Sequence, residues 1–329
     1  MNFRTTFPIP TFQQPLTHSQ KIISVGSCFA NMLGHKLGER KYQILSNPFG
    51  IIFNPISLFH LLKSALLNKE LDPILRLETN GLHLHYHVHS EIKAGSKELL
   101  GKIIEEKLSA TKEYLTQASH LFITLGTSFV YKHLDSGQLV ANCHKQPAKN
   151  FSKRLLSLEA NIESFEELHA ILLSVNPKIQ LIFTVSPVRH IKDGIPENQV
   201  SKSLLRVLSH QLSSKFANVH YFPSYELVMD DLRDYRFYQS DLLHVTPMAE
   251  DYIWEKFENA FLKEEEKQLN QVITSIQKDL AHKPFNPDSE GHQKFLKKLL
   301  LKIEQLPESL DFKSEKQTIL NQLNTHEKR

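Results

Sequence analysis

Two hydrophobic rhythms alternate along the chain from about residue 20 to residue 260. Short apolar runs of strand length are Lys21 to Val25 (KIISV), Tyr42 to Leu45, Leu121 to Leu125 (LFITL), Ile179 to Val185 (IQLIFTV) and Val219 to Phe222. Between them apolar residues recur every three or four positions, the spacing of one helix face. Phe29, Met32, Leu33 and Leu37 mark a helix over 29–40, and further helices are expected over 55–67, 96–117, 164–175 and 198–215. Pro55 suits a first helical turn, where its missing N–H costs nothing. A long helix is expected to begin after Pro247 and run toward residue 282. Continuous apolar strands separated by helices imply a parallel sheet covered on both faces, a three-layer α/β/α architecture with its sites at the carboxyl ends of the strands.

Two segments break the rhythm. In residues 81–90 (GLHLHYHVHS) His and other residues alternate strictly, which predicts one strand carrying His83, His85, His87 and His89 on a single face. From Lys263 onward the chain carries charges and Leu/Ile at helical spacing, interrupted by Lys283-Pro284-Phe285-Asn286-Pro287. The expected division is a catalytic domain over 1–262 and a helical extension of two or three helices over 263–329. The extension holds twelve basic and eleven acidic residues, so its lysines read as a solvated surface.

Composition narrows the function classes. The 329 residues are 40% hydrophobic with a net charge of +3, too balanced for a chain that holds nucleic acid by charge. Two cysteines, Cys28 and Cys143, exclude a disulfide framework and a four-cysteine zinc site. No run approaches the ~20 apolar residues of a membrane helix, and residues 1–8 contain no apolar signal core, so a soluble, cytoplasmic chain without membrane contact is expected. There is no Walker A or GxGxxG string, and no cofactor is indicated.

The candidate chemistry lies just after the predicted strands. Gly26-Ser27-Cys28 stands between the first strand and the first helix. Glycine permits a sharp turn there, and a nucleophile at a helix N-terminus meets unpaired N–H groups that would lower a thiol pKa. The same residues also suit a plain helix cap, with Ser27 capping and Cys28 packed. Asp241 and His244 sit three apart on a predicted turn, a spacing that sets a carboxylate against one ring nitrogen and leaves the other as a base. Asn142, His144 and Lys145 around Cys143, Arg189-His190 after the fourth run, and Arg236 near the Asp–His pair suit contacts to an anionic or polyhydroxyl substrate. His89 is a candidate pocket-lining residue. The histidine run would suit a metal if other ligands converged on it, which makes a metal-dependent hydrolase a rival reading.

VGSCFA (Val25 to Ala30), LGTSFVY (Leu125 to Tyr131), VANCHKQPAK (Val140 to Lys149), TVSPVRH (Thr184 to His190) and FPSYELVMDDLRDYRFY (Phe222 to Tyr238) together resemble the motifs of the GSCFA family. That family resembles a branch of the SGNH/GDSL hydrolases, which implies a flavodoxin-like fold and ester hydrolysis or acyl transfer on a small molecule, with a carbohydrate as one carrier. Set on the superfamily's GDSL string, Cys28 falls at the nucleophile position and Ser27 beside it, with Cys28 the first choice. The resemblance implies Gly50 as an oxyanion donor and places Gly126-Thr127-Ser128 where relatives carry a glycine and an asparagine. Asp241 and His244 match the superfamily's DxxH block. A non-catalytic small-molecule or glycan-binding protein using the same crevice is the other alternative. The oligomeric state has no signature in the sequence.

Overall fold

The computed structural model describes residues 4–287 and 289–327. Its core is a parallel sheet of β1 (Lys21–Gly26), β2 (Gln43–Ser46), β3 (His120–Leu125), β4 (Gln180–Val185) and β5 (Val219–Tyr221) in the order 2-1-3-4-5. This is the flavodoxin-like order, and it reverses its direction of growth between β1 and β3. A crevice opens beyond the carboxyl ends of strands at such a point. The register that pairs Gly26 with Thr124 brings the Gly26-Ser27-Cys28 and Gly126-Thr127-Ser128 segments to that place.

Strand alternation explains the layers. Ile23, Val25, Ile123, Phe183 and Val185 face α2 (Pro55–Leu66), α3 (Lys97–Gln117), α4 (Leu158–Val175) and α5 (Ile195–Lys215). Ile22, Phe122 and Ile182 face α1 (Cys28–Glu39) and α6 (Pro247–Phe261). Burying each such side chain contributes about 1.5–3 kcal/mol. Local caps fix the helix starts: Asn54 Oδ1 accepts from Ser57 N–H at 2.9 Å and Ser157 Oγ from Ala160 N–H at 3.2 Å. The Ser157 cap starts α4 six residues before the expected Ser164.

The long helix expected after Pro247 is two helices, α6 and α7 (Glu264–Ala281). Phe12 and Leu16 donate their N–H groups to the carbonyls of Ala260 and Phe261, both at 2.8 Å, and Leu262 turns into a bridge with Leu16. Those bonds satisfy the helix end, so the chain leaves it there. With α8 (Glu290–Glu304) and α9 (Lys313–Glu327), α7 packs a separate apolar cluster around Ile273, Ile276, Leu299, Ile303 and Ile319. Lys41, paired with Glu315, and His18, bonded to Glu266, fasten this extension to the sheet domain.

The single strand expected over 81–90 is also corrected. Leu82–His85 pairs antiparallel with Arg76–Thr79, and the strand stops at His85. There the His87 N–H donates to His85 Nδ1 at 3.1 Å, a local bond that competes with further ladder pairing. The four histidines therefore do not share one strand face. A second small sheet joins Leu139–Val140, Phe129–His133 and Phe151–Leu155. No helix among the described residues is long and apolar enough to cross a membrane.

Candidate active site

Gly26 makes the turn possible. Its φ is +130°, and a Cβ there would stand 2.0 Å from the Thr124 carbonyl oxygen. Asn47, following β2, holds the turn from below by accepting the Gly26 N–H on Oδ1 at 2.7 Å, and the Ser27 N–H donates to the Thr124 carbonyl at 3.0 Å. Ser27 is the N-cap of α1, yet its side chain forms no capping bond. Its Oγ is buried without a hydrogen-bond partner, as is Thr124 Oγ1. Cys28, the first residue of α1, is partly exposed.

The lowered thiol pKa expected for Cys28 is corrected. Burial pushes it up and outweighs the two influences that favour thiolate, its own backbone N–H and the charge of Lys202. Alkylation of Cys28 by iodoacetamide is accordingly expected to titrate with a midpoint above the ordinary thiol range. A midpoint at or below about pH 7.5, the region of activated cysteines, would contradict this.

Asp241 and His244 form the predicted pair. The tip of their loop is held by a bridge between Tyr238 and Val245 and by the Gln239 N–H, which donates to the His244 carbonyl at 2.7 Å. Asp241 Oδ1 accepts the N–H groups of Leu243 and His244 at 2.9 and 3.0 Å, while Oδ2 lies 2.6 Å from His244 Nδ1. The ring bond and these two backbone donors pull the Asp241 carboxyl down to about 2. With Nδ1 carrying the proton toward Asp241, Nε2 presents its lone pair. The His244 side chain is 43% exposed, and no hydrogen bond joins it to Ser27 or Cys28. The structure thus brings Asp241 and His244 together and leaves the Ser27 hydroxyl without a partner.

The segment after β3 is used structurally. Gly126 and Thr127 donate their N–H groups to the Phe53 carbonyl at 2.8 and 3.1 Å. The Ser128 N–H donates to Ser201 Oγ at 2.7 Å, Ser128 Oγ to the Ser201 carbonyl at 3.1 Å, and Thr127 Oγ1 lies 3.0 Å from Ser201 Oγ. These bonds tie the segment to α5. The Gly50 N–H donates to the Asn47 carbonyl at 2.8 Å, so in this structure it is not free for an oxyanion. Gly50 has φ +71° and packs against His89, where a Cβ would come within 2.3 Å of the His89 Cβ. His89 Nδ1 is buried without a hydrogen bond, 3.4 Å from a Glu91 carboxylate oxygen.

The other predicted contacts are dispersed. Asn142 Oδ1 accepts the His144 N–H at 2.8 Å in a turn where His144 and Lys145 both have positive φ. His144 Nε2 lies 2.9 Å from the His85 carbonyl, which ties this turn to the hairpin. Arg236 is bonded on the surface to Asp234 at 2.8 Å. The His190 N–H donates to Asn198 Oδ1 at 2.9 Å, and its ring meets Phe53 edge-on. No group of three or more His, Cys, Asp or Glu that could hold a metal is found among the described residues. A cavity of about 520 Å³ lies between the 76–85 hairpin and α3, lined by Arg76, His85, Lys97 and Lys102 rather than by the turn or the Asp–His pair.

One residue at the strand ends went unnoticed in the sequence. Lys202 on α5 is 1% exposed, and its Nζ donates to the carbonyls of Gly126 and Ser186 at 2.6 and 2.7 Å. Burial, with help from the Arg189 charge, draws its pKa down to about 7. The signal was present: Leu205, Leu208 and Leu212 define the buried stripe of α5, and extending it by three and four residues lands on Lys202 and Ser201.

Fold and loop together define a doubly wound α/β protein with its candidate chemistry at the topological switch point. The GSCFA family matches residues 21–257, and the C-terminal domain of GSCFA domain proteins matches residues 273–325. The chain belongs to the GSCFA family. No curated protein and no solved structure shows significant similarity to it.

Proposed function

We propose that the chain is an SGNH-like hydrolase or acyltransferase acting on a small acyl ester, with a carbohydrate as one carrier of the acyl group. The observation that best supports this reading is the Asp241–His244 pair, with its 2.6 Å bond at Nδ1 and its open Nε2. Because Cys28 carries a neutral thiol, the reaction needs a base rather than a standing thiolate. His244 Nε2 takes the thiol proton as Sγ attacks the ester carbonyl, then passes it to the departing alkoxide. Water or an acceptor hydroxyl releases the acyl group from the thioester, with His244 again moving the proton. The opening N–H groups of α1 serve as oxyanion donors. Closure of the loop that bears His244 onto α1 is required, since catalytic bonds often tighten only around substrate.

The test is hydrolysis of p-nitrophenyl acetate. His244→Ala is expected to lower kcat/KM by about a hundredfold or more. Cys28→Ala is expected to fall at least as far, and Ser27→Ala much less. The reverse order would move the nucleophile to Ser27, and wild-type rates in all three variants would sink the hydrolase reading. The half-buried, un-ionised thiol also favours a second reading, a non-catalytic binding crevice. That reading predicts no turnover by the wild type.

A further inference from the structure

We propose that Arg189 and Lys202 form an anion-binding subsite at the carboxyl ends of β3 and β4, which takes a carboxylate or phosphoryl group carried by the substrate. The inference rests on the hydrolase reading only in calling that ligand a substrate.

Two cations meet here without an anion. Lys202 Nζ is buried between two uncharged carbonyls, those of Gly126 and Ser186. An ammonium has three N–H donors, and these bonds use two. Arg189, half-buried at the end of the loop that contains Ser186, has five donors, of which one meets the Met229 thioether at 3.0 Å. Sulfur is a weak acceptor for a guanidinium. Of the nearby carboxylates, Asp193 pairs with Lys153, Glu226 pairs with Arg206 while accepting the Tyr221 hydroxyl at 2.7 Å, and Asp230, beside Met229, is exposed to solvent. Buried charges are ordinarily paired, yet Lys202 Nζ meets only carbonyl oxygens, so its charge lies inside without a carboxylate on it.

The charge faces the candidate nucleophile. Lys202 is anchored on Gly126, two residues beyond the Thr124 carbonyl that receives the Ser27 N–H. Its charge acts on Cys28 against the effect of burial, and Arg189 and Lys202 repel one another. An oxyanion on the planar Arg189 fork would relieve that repulsion and satisfy donors that now lack oxygen partners. His190, whose ring packs on Phe53, closes the same wall.

Inorganic phosphate is the probe, and Cys28 reports on it. A bound anion cancels the cation that favours the Cys28 thiolate, so phosphate should slow iodoacetamide alkylation of Cys28 saturably in the full chain at a fixed pH of about 6.5, where Lys202 is mainly protonated. A half-unit rise in thiol pKa corresponds to about a threefold slowing. Peptide mass spectrometry follows Cys28 with Cys143 as internal control, and potassium chloride matches the ionic strength. Arg189→Met is expected to weaken the phosphate response by about tenfold or more, and Arg189→Lys to keep part of it. Lys202→Met, where it folds by circular dichroism, should slow Cys28 without phosphate and abolish the response; the Arg189 variants decide the matter if it does not fold. The subsite is overturned if chloride slows Cys28 equally, if Cys143 slows in parallel, or if Arg189→Met responds like wild type. A chain that binds phosphate in this way but cleaves no ester retains the subsite and loses only the hydrolase reading. An active esterase without the response loses only the subsite.

Discussion

Gly26→Ala is expected to abolish folding of the sheet domain, although it adds a single methyl group. The methyl would sit 2.0 Å from the Thr124 carbonyl oxygen and 2.8 Å from its carbon. Those atoms are backbone of a central strand bonded on both sides, so they cannot swing aside as a side-chain tip could. Alanine also tolerates φ +130° poorly. Strain at such a dihedral costs about 1–3 kcal/mol and overpacking typically another 1–3 or more, a sum that rivals the usual 5–15 kcal/mol stability of a native protein. Urea denaturation read by circular dichroism provides the check. Gly95→Ala is the control, because nothing lies within 4 Å of its added methyl and its φ lies outside the range L side chains avoid. A Gly26→Ala midpoint equal to that of Gly95→Ala would contradict the packing described for the turn.

Acid should unfold the chain well above the pH at which its carboxylates are neutralised. Burial lowers the pKa of His85, His120 and His190 to about 4 and that of His87 to about 2. His85, His87 and His60 pack ring against ring. Above about pH 6.5 these imidazoles are neutral in both folded and unfolded chains and contribute no pH dependence. Below it the unfolded chain binds protons that the folded chain refuses, so stability falls with pH. Each of His85, His120 and His190 removes about 1.4 kcal/mol per pH unit, or about 3 kcal/mol between pH 6.5 and 4. The contacting rings do not add in full, yet the total reaches the scale of an ordinary domain's stability. Unfolding free energies from urea titrations at pH 7.5, 6 and 5 should drop steeply, with His120→Gln reducing the slope. An unchanged urea midpoint from pH 7.5 to 5 would refute the assignment.

What the sequence revealed followed burial on both faces. β1, β3 and β4 announce themselves as unbroken apolar runs because each is covered by helices on either side, and the polar residues that follow them mark the switch point. Asp241 and His244 were legible because they stand three positions apart on one turn, close enough for the turn alone to bring them together. Phe151–Leu155 was not, since an exposed antiparallel strand reading FSKRL has no buried face to impose a rhythm. The histidine run misled for a related reason: its alternation is real, but a ring-to-backbone bond at His85 ends the strand before the pattern does. Lys202 was missed because a lysine is ordinarily taken for surface, and only its carbonyl partners, distant in sequence, show why it lies inside. The Cys28 thiol depended on a contest between helix terminus and desolvation that no local string displays.

The bonds from Phe12 and Leu16 to the end of α6 have a consequence for biosynthesis. Phe12 and Leu16 are translated well before the carbonyls that receive them, which belong to Ala260 and Phe261, nearly the whole sheet domain later. At typical rates of 5–20 residues per second, the early segment waits roughly ten to fifty seconds for its partners. During that interval Leu16, fully covered in the finished protein, has no α6 to lie against. The nascent chain therefore emerges with residues 12–16 unclasped, and during synthesis their docking has to wait for α6.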